Sequence, residues 1–120
     1  MNVAAWILQG FLALVFLLHG LLYTVPAMGR SMEANLVTPL WFRRFIGISE
    51  LAAAVGLIVP AILHIFTWLT PLAAAGLVVV TLSAATYHTR RQEFVMVPVT
   101  VVLAVLAGFV AYARFVASPL

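Results

Sequence analysis

The chain has 120 residues, 66% of them hydrophobic and only 8% charged, with a mean hydropathy of +1.22. Water-soluble domains carry about 25% charged residues, so this composition excludes a soluble particle and leaves a single integral membrane domain, residues 1–120. The net charge of +3 comes from arginine alone and cysteine is absent, which excludes disulfides, thiol redox chemistry and Cys-held iron–sulfur, zinc or c-type haem groups.

Four apolar runs have the ~20-residue length a bilayer requires. The first covers about residues 3–25. It lacks a positive leading segment and is too long for a signal-peptide core, so it reads as an uncleaved first span. Pro26, Gly29 and the polar stretch Arg30-Ser31-Met32-Glu33 end it, and a loop or short interfacial helix continues to Pro39. The second run, about 41–60, is expected to stop at Pro60, with Ile62 and His64 in a short uncharged turn. The third, about 66–88, carries Pro71 in its first turns. Arg90-Arg91-Gln92-Glu93 forms a polar turn, and the fourth run follows over about 94–115 with Pro98 near its start. Proline near a helix start removes only a donor that was unpaired anyway. The runs are apolar all round rather than alternating, which selects helices over a barrel. The expected fold is all-α: an integral membrane four-helix transmembrane bundle.

Arginine places the loops. Arg30, Arg43, Arg44, Arg90 and Arg91 fall on one side of such a bundle and Arg114 alone on the other. By the positive-inside rule, loops 26–40 and 89–93 are cytoplasmic and both termini external. Trp6 and Trp68 then sit at the outer interface and Trp41 at the inner one. No aromatic-and-basic stretch resembles a nucleic-acid groove; the expected partner is the lipid bilayer.

The most informative residue is Glu50, one of three acids, in the middle of the second run. A carboxylate at that depth costs about 2.5–3.5 kcal/mol on insertion scales, so it should face other helices or a wet cavity and have a partner. Helical spacing puts Arg43, Gly47, Glu50, Ala54 and Leu57 on one face, and Gln9, Phe16, Gly20 and Tyr23 on a stripe of the first span bordered by His19. Thr81 and His88 share a face of the third. His19, Tyr23, Arg43, Arg44, Glu50, Tyr87 and His88 all fall in the cytoplasmic half. The simplest arrangement is a polar pocket open to the cytoplasm with Glu50 at its floor, and with little polar in the outer half besides Gln9 and His64.

Plainer readings stand beside this one. Glu50 can be a strut paired with an arginine or histidine to fix helix register. Arg90, Arg91 and Glu93 can be a charged turn that sets topology, and His19 a core histidine bonded to a carbonyl. His64, Tyr23 and Tyr112 suit interfacial positions. The pairs Ala52/Gly56, Ala104/Gly108 and Ala107/Ala111 have the small-xxx-small spacing of helix packing, within the bundle or in a homodimer. His19, Glu50 and His88 would make a two-histidine, one-carboxylate ligand set, but no local motif supports a metal.

The run Trp41-Phe42-Arg43-Arg44-Phe45-Ile46-Gly47-Ile48-Ser49-Glu50-Leu51 continues through Gly56-Leu57 to Pro60. With Thr70-Pro71-Leu72-Ala73-Ala74-Ala75-Gly76 and with His88, Arg90, Arg91 and Glu93, it resembles the DoxX-like family of small four-span bacterial membrane proteins. The likeness covers most of residues 41–93; the outer spans match in character only. Where the family often has Gly-x-x-Lys near the end of the first span, this chain has Gly20 followed by Tyr23. Founding members resemble a subunit of a thiosulfate:quinone oxidoreductase, others associate with membrane oxidoreductase complexes handling sulfur compounds or oxidative stress, and a related animal protein resembles an assembly chaperone for receptor channels.

The resemblance implies a bacterial cytoplasmic (inner) membrane and a membrane subunit of a redox complex, contacting quinone and a protein partner. Glu50 and His88 would be the proton-handling pair, and Arg43, Arg44, His19, Tyr23, Tyr87, Arg90 and Glu93 the binding residues. A non-enzymatic anchor or assembly factor, and an intramembrane acid–base enzyme acting on a lipid-like substrate through Glu50 and His88, remain the alternatives.

Overall fold

A computed structural model of the chain describes residues 1–24 and 40–120; the loop expected over residues 26–39 lies outside the described residues. Four α-helices follow one another: α1 (Asn2–Thr24), α2 (Leu40–Leu63), α3 (Leu69–Arg90) and α4 (Met96–Tyr112), the last extended by a π-helical turn over Ala113–Ala117. There is no strand among the described residues. All four helices are long and apolar enough to cross a membrane. α2, at 24 residues, is about 36 Å long, more than the ~30 Å of a hydrocarbon core. The chain is thus an integral, multi-pass membrane protein.

α1 packs on α2 and α3 on α4, and the contacts α2–α3 and α1–α4 close the bundle. Leu12, Phe16, Leu57, Leu77 and Val110 interlock with Ala54, Ala74 and Ala107 at its centre. The outward faces are just as apolar: Leu14, Val55, Val79 and Val105 are exposed. On a soluble protein such continuous apolar surface would be an association site; in a bilayer it meets lipid tails. One end of the bundle holds the start of α2 and the α3–α4 turn and is rich in arginine. The other holds both chain termini and the α2–α3 turn. They are called the basic end and the terminal end below.

The second helix does not stop at Pro60. It runs on to Leu63, and the turn occupies residues 64–68. Proline removes the N–H that would bond the carbonyl four residues back, here that of Gly56. That carbonyl is satisfied by the Thr70 hydroxyl of α3, which donates to it over 3.0 Å. In an apolar medium an orphaned carbonyl costs several kcal/mol, so the borrowed hydroxyl is what lets the helix continue. The helix ends instead where His64 and Phe66 take left-handed φ values of 54° and 50°. This turn delays α3, which begins at Leu69 rather than near residue 66. The Arg90–Glu93 polar turn extends similarly, so α4 begins at Met96.

α1 and α2 approach to backbone contact at two glycines. A Cβ on Gly20 would lie 2.8 Å from the Gly47 carbonyl oxygen, and one on Gly47 would lie 3.0 Å from that of Gly20. No larger residue fits there without separating the helices. This close crossing sets the heights of the polar side chains on both.

Candidate functional site

The glycine contact brings His19 of α1 opposite Glu50 of α2. His19 Nδ1 and Glu50 Oε2 are 2.5 Å apart, a hydrogen bond in which imidazole donates to carboxylate or carboxyl to imidazole. Glu50 is 3% exposed and lies about 15 Å along α2 from its start. The His19 side chain is 42% exposed and lies about 8 Å from the end of α1. The pair therefore joins a buried acid to a group reachable from outside the helix contact. Of the two kinds of partner expected, arginine and histidine, the histidine is the one that bonds Glu50.

Arg43 has a different task. It is buried at 2% exposure, and its Nη2 donates to the Leu22 carbonyl over 2.9 Å. Leu22 lies in the last turn of α1, whose carbonyls have no partner within the helix and carry its negative dipole end. The guanidinium also lies 5.2 Å from the centre of the Tyr23 ring, and Tyr23 stacks on His19 at 4.3 Å. Glu50, His19, Tyr23 and Arg43 thus form one continuous cluster between α1 and α2. Arg44 is exposed and makes no hydrogen bond or ion pair among the described residues.

A second group gathers at the α3–α4 turn. His88 Nδ1 lies 3.5 Å and Arg91 Nε 3.3 Å from Glu93 Oε1, and Arg91 Nη1 donates to the Tyr87 hydroxyl over 2.7 Å. That bond holds the Arg91 guanidinium above its ordinary pKa, so it stays charged. No hydrogen bond or ion pair links Glu50 to His88, so the two histidines divide between the groups, and no three metal-ligating residues gather among the described residues. Arg90 is exposed at the turn. Thr81, on the same face as His88, is turned inward and spends its hydroxyl on the Leu77 carbonyl at 2.7 Å.

A third polar cluster stands at the terminal end, where sequence reasoning placed little. Arg114 is 3% exposed. Its Nε donates to Gln9 Oε1 at 2.6 Å and its Nη1 to Asn2 Oδ1 at 2.8 Å and to the Ser118 carbonyl at 2.9 Å. Gln9 Nε2 in turn donates to the Leu57 carbonyl at 2.7 Å. The one readable signal was Gln9 on its inward stripe; Arg114 read as a flanking charge because it lies near the end of its run.

A groove of about 610 Å³ runs between α2 and α3, lined by Ser49, Ala52, Gly56, Leu63, Ala73 and Gly76 among others. It is almost wholly apolar and lies on the stripe of α2 beside Glu50 rather than on the Glu50 face.

Against known proteins, the match is at the level of the family. A family model described as the DoxX-like family matches residues 7–110. The chain belongs to the DoxX-like family. The match takes in His19, the whole Arg43–Glu50 face, the polar turn at Arg90–Glu93 and Gln9, and stops short of Arg114. Membership thus extends over α1 and α4, beyond the central segments that carry the sequence likeness. No curated protein and no solved structure gives a significant match.

Proposed function

We propose that this DoxX-like protein is a membrane subunit of a quinone-linked redox system in the bacterial cytoplasmic membrane. The Glu50–His19 pair handles the protons that accompany quinone turnover. The observation that carries this reading is the pair itself: a buried carboxyl group 2.5 Å from the ring nitrogen of a half-exposed imidazole. Reducing a quinone to a quinol takes two electrons and two protons. The electrons come from a partner oxidoreductase, since no cysteine is present to hold an iron–sulfur cluster. The protons pass between His19 and Glu50. Tyr23, Tyr87, His88, Arg91 and Glu93 extend the polar path toward the basic end, with Arg43 fixing the end of α1 beside it. Arg44 and Arg90 face the cytoplasmic surface and its partner protein. The groove beside Ser49 has the volume and apolar lining for a hydrocarbon tail.

The test is binding of a short-tailed ubiquinone or menaquinone analogue to the purified protein, read by isothermal titration. Glu50→Gln and His19→Gln are expected to weaken it about tenfold, the loss of one charge-assisted hydrogen bond. Equal binding by wild type and both variants, or none by wild type, overturns the reading.

A second reading has its own observation. The Glu50–His19 bond and the Arg43–Leu22 bond both tie α1 to α2, as struts in a non-enzymatic anchor or assembly factor would. On that reading Glu50→Gln lowers thermal stability while the wild type binds no quinone.

A further inference from the structure

Arg114 has no acidic partner among the described residues. A guanidinium is charged at every accessible pH, and an ionisable group within a membrane span calls for a partner. The two acids among the described residues are committed elsewhere: Glu50 to His19, and Glu93 to Arg91 and His88. The groups that bond Arg114 are neutral: Gln9 Oε1, Asn2 Oδ1 and the Ser118 carbonyl accept from Nε and Nη1. Nη2 is buried and has no hydrogen-bond partner. Unmade bonds of a buried charged group are among the costliest a protein can carry.

Further donors stand nearby: Asn2 carries its amide N–H groups, and Trp6, whose ring lies 5.3 Å from the guanidinium, its indole N–H. The site thus combines a fixed positive charge, one nitrogen of which is unbonded, with further donors and no acid beside it among the described residues. Just outside it, Val3, Ile7, Phe115 and Val116 are exposed and face hydrocarbon in a bilayer. A charge at the membrane boundary flanked by lipid-facing apolar side chains suits an anion that carries its own tail. The π turn widens the helix where Arg114 projects, with Ser118 N donating to the Ala113 carbonyl at 2.6 Å; such turns often mark functional positions.

We propose that Arg114, with Asn2 and Trp6, binds an anionic oxyacid group, the phosphate of an acidic lipid, at the terminal end of the bundle. Nη2, closed off in the present packing, supplies the charge-assisted bonds once the side chains over it part, and Gln9 holds the guanidinium in place through its link to Leu57.

The experiment is thermal unfolding of the delipidated protein in a neutral detergent, titrated with phosphatidylglycerol, with phosphatidylcholine, or with inorganic phosphate at matched ionic strength. Wild type is expected to gain several degrees with phosphatidylglycerol and nothing comparable with phosphatidylcholine. Arg114→Gln is expected to weaken the apparent affinity about tenfold or more. Because that variant can fail to fold, Asn2→Asp is the second probe. It sets a carboxylate beside the guanidinium, and is expected to raise the lipid-free unfolding temperature and abolish most of the phosphatidylglycerol response. A response to inorganic phosphate equal to that of the lipid supports the anion site with a free ion as its occupant. A phosphatidylglycerol response matched by phosphatidylcholine, absent in wild type, or undiminished in Asn2→Asp overturns the proposal.

Discussion

Glu50 and Arg43 are both buried on one face of α2, seven residues apart, and yet each finds its partner on α1 rather than in the other. The reason is reach. Two turns of helix separate them by about 10 Å along the axis, whereas the Gly20–Gly47 crossing brings α1 to backbone contact with α2. Single substitutions should separate the two jobs. Glu50→Ala leaves His19 without its partner and opens a void, and is expected to cost about 1.5–3 kcal/mol in reversible unfolding. Arg43→Gln keeps a donor for the Leu22 carbonyl but removes the charge from the end of α1. It is expected to cost about 0.3–1 kcal/mol and, in contrast to Glu50→Gln, to leave quinone binding within about threefold, since Arg43 does not bond the Glu50–His19 pair. Unfolding in a mild detergent and the titration described above check both. The sequence made Glu50 conspicuous, because a lone acid in an apolar run has a known cost. It could not choose between histidine and arginine as partner, since that choice depends on where two helices cross, which two separate glycines decide.

At the scale of elements, glycine and proline determine how the helices meet. Gly47→Ala would drive a methyl group against the α1 backbone. An expected cost of about 1–3 kcal/mol should come with a loss of quinone affinity, because the same shift parts Glu50 from His19. Pro60 offers a sharper test. Thr70→Val leaves the Gly56 carbonyl without a donor and is expected to cost about 1–3 kcal/mol. In a Pro60→Ala background the restored N–H can take that carbonyl, so Thr70→Val should cost much less. A double-mutant cycle on unfolding measures the difference directly. These elements also show how far the sequence could be read. The four spans were legible because ~20 apolar residues admit few other structures. Their ends were less so: Pro60 looked like a stop because the hydroxyl that compensates it lies ten residues ahead, on the next helix.

For the whole molecule, the polar groups form three clusters, two toward the basic end and one at the terminal end, on a scaffold that is otherwise hydrocarbon inside and out. The sequence indicated the first two through the concentration of His, Tyr and Arg in one half of the spans. It did not indicate the third, because an arginine one residue from the end of an apolar run is indistinguishable from one that snorkels to water. The cysteine-free chain allows a clean check of its threading. Single replacements Arg90→Cys and Ser118→Cys lie at opposite ends of the bundle. In inverted and right-side-out vesicles a membrane-impermeant maleimide should label each from one face only, Arg90→Cys from the cytoplasmic face. Labelling of both from the same face would contradict a four-span path.

Three of the bonds that tie neighbouring helices together run from a side chain to a main-chain carbonyl: Gln9 to Leu57, Arg43 to Leu22, and Thr70 to Gly56. A carbonyl is the same whatever residue bears it. The partner position can therefore change its side chain without breaking the bond, provided the helix keeps its path. In a set of related sequences these joints would appear as polar residues held on one side only, with nothing varying in step across the interface. The architecture would be locked by pairs that pairwise covariation cannot see.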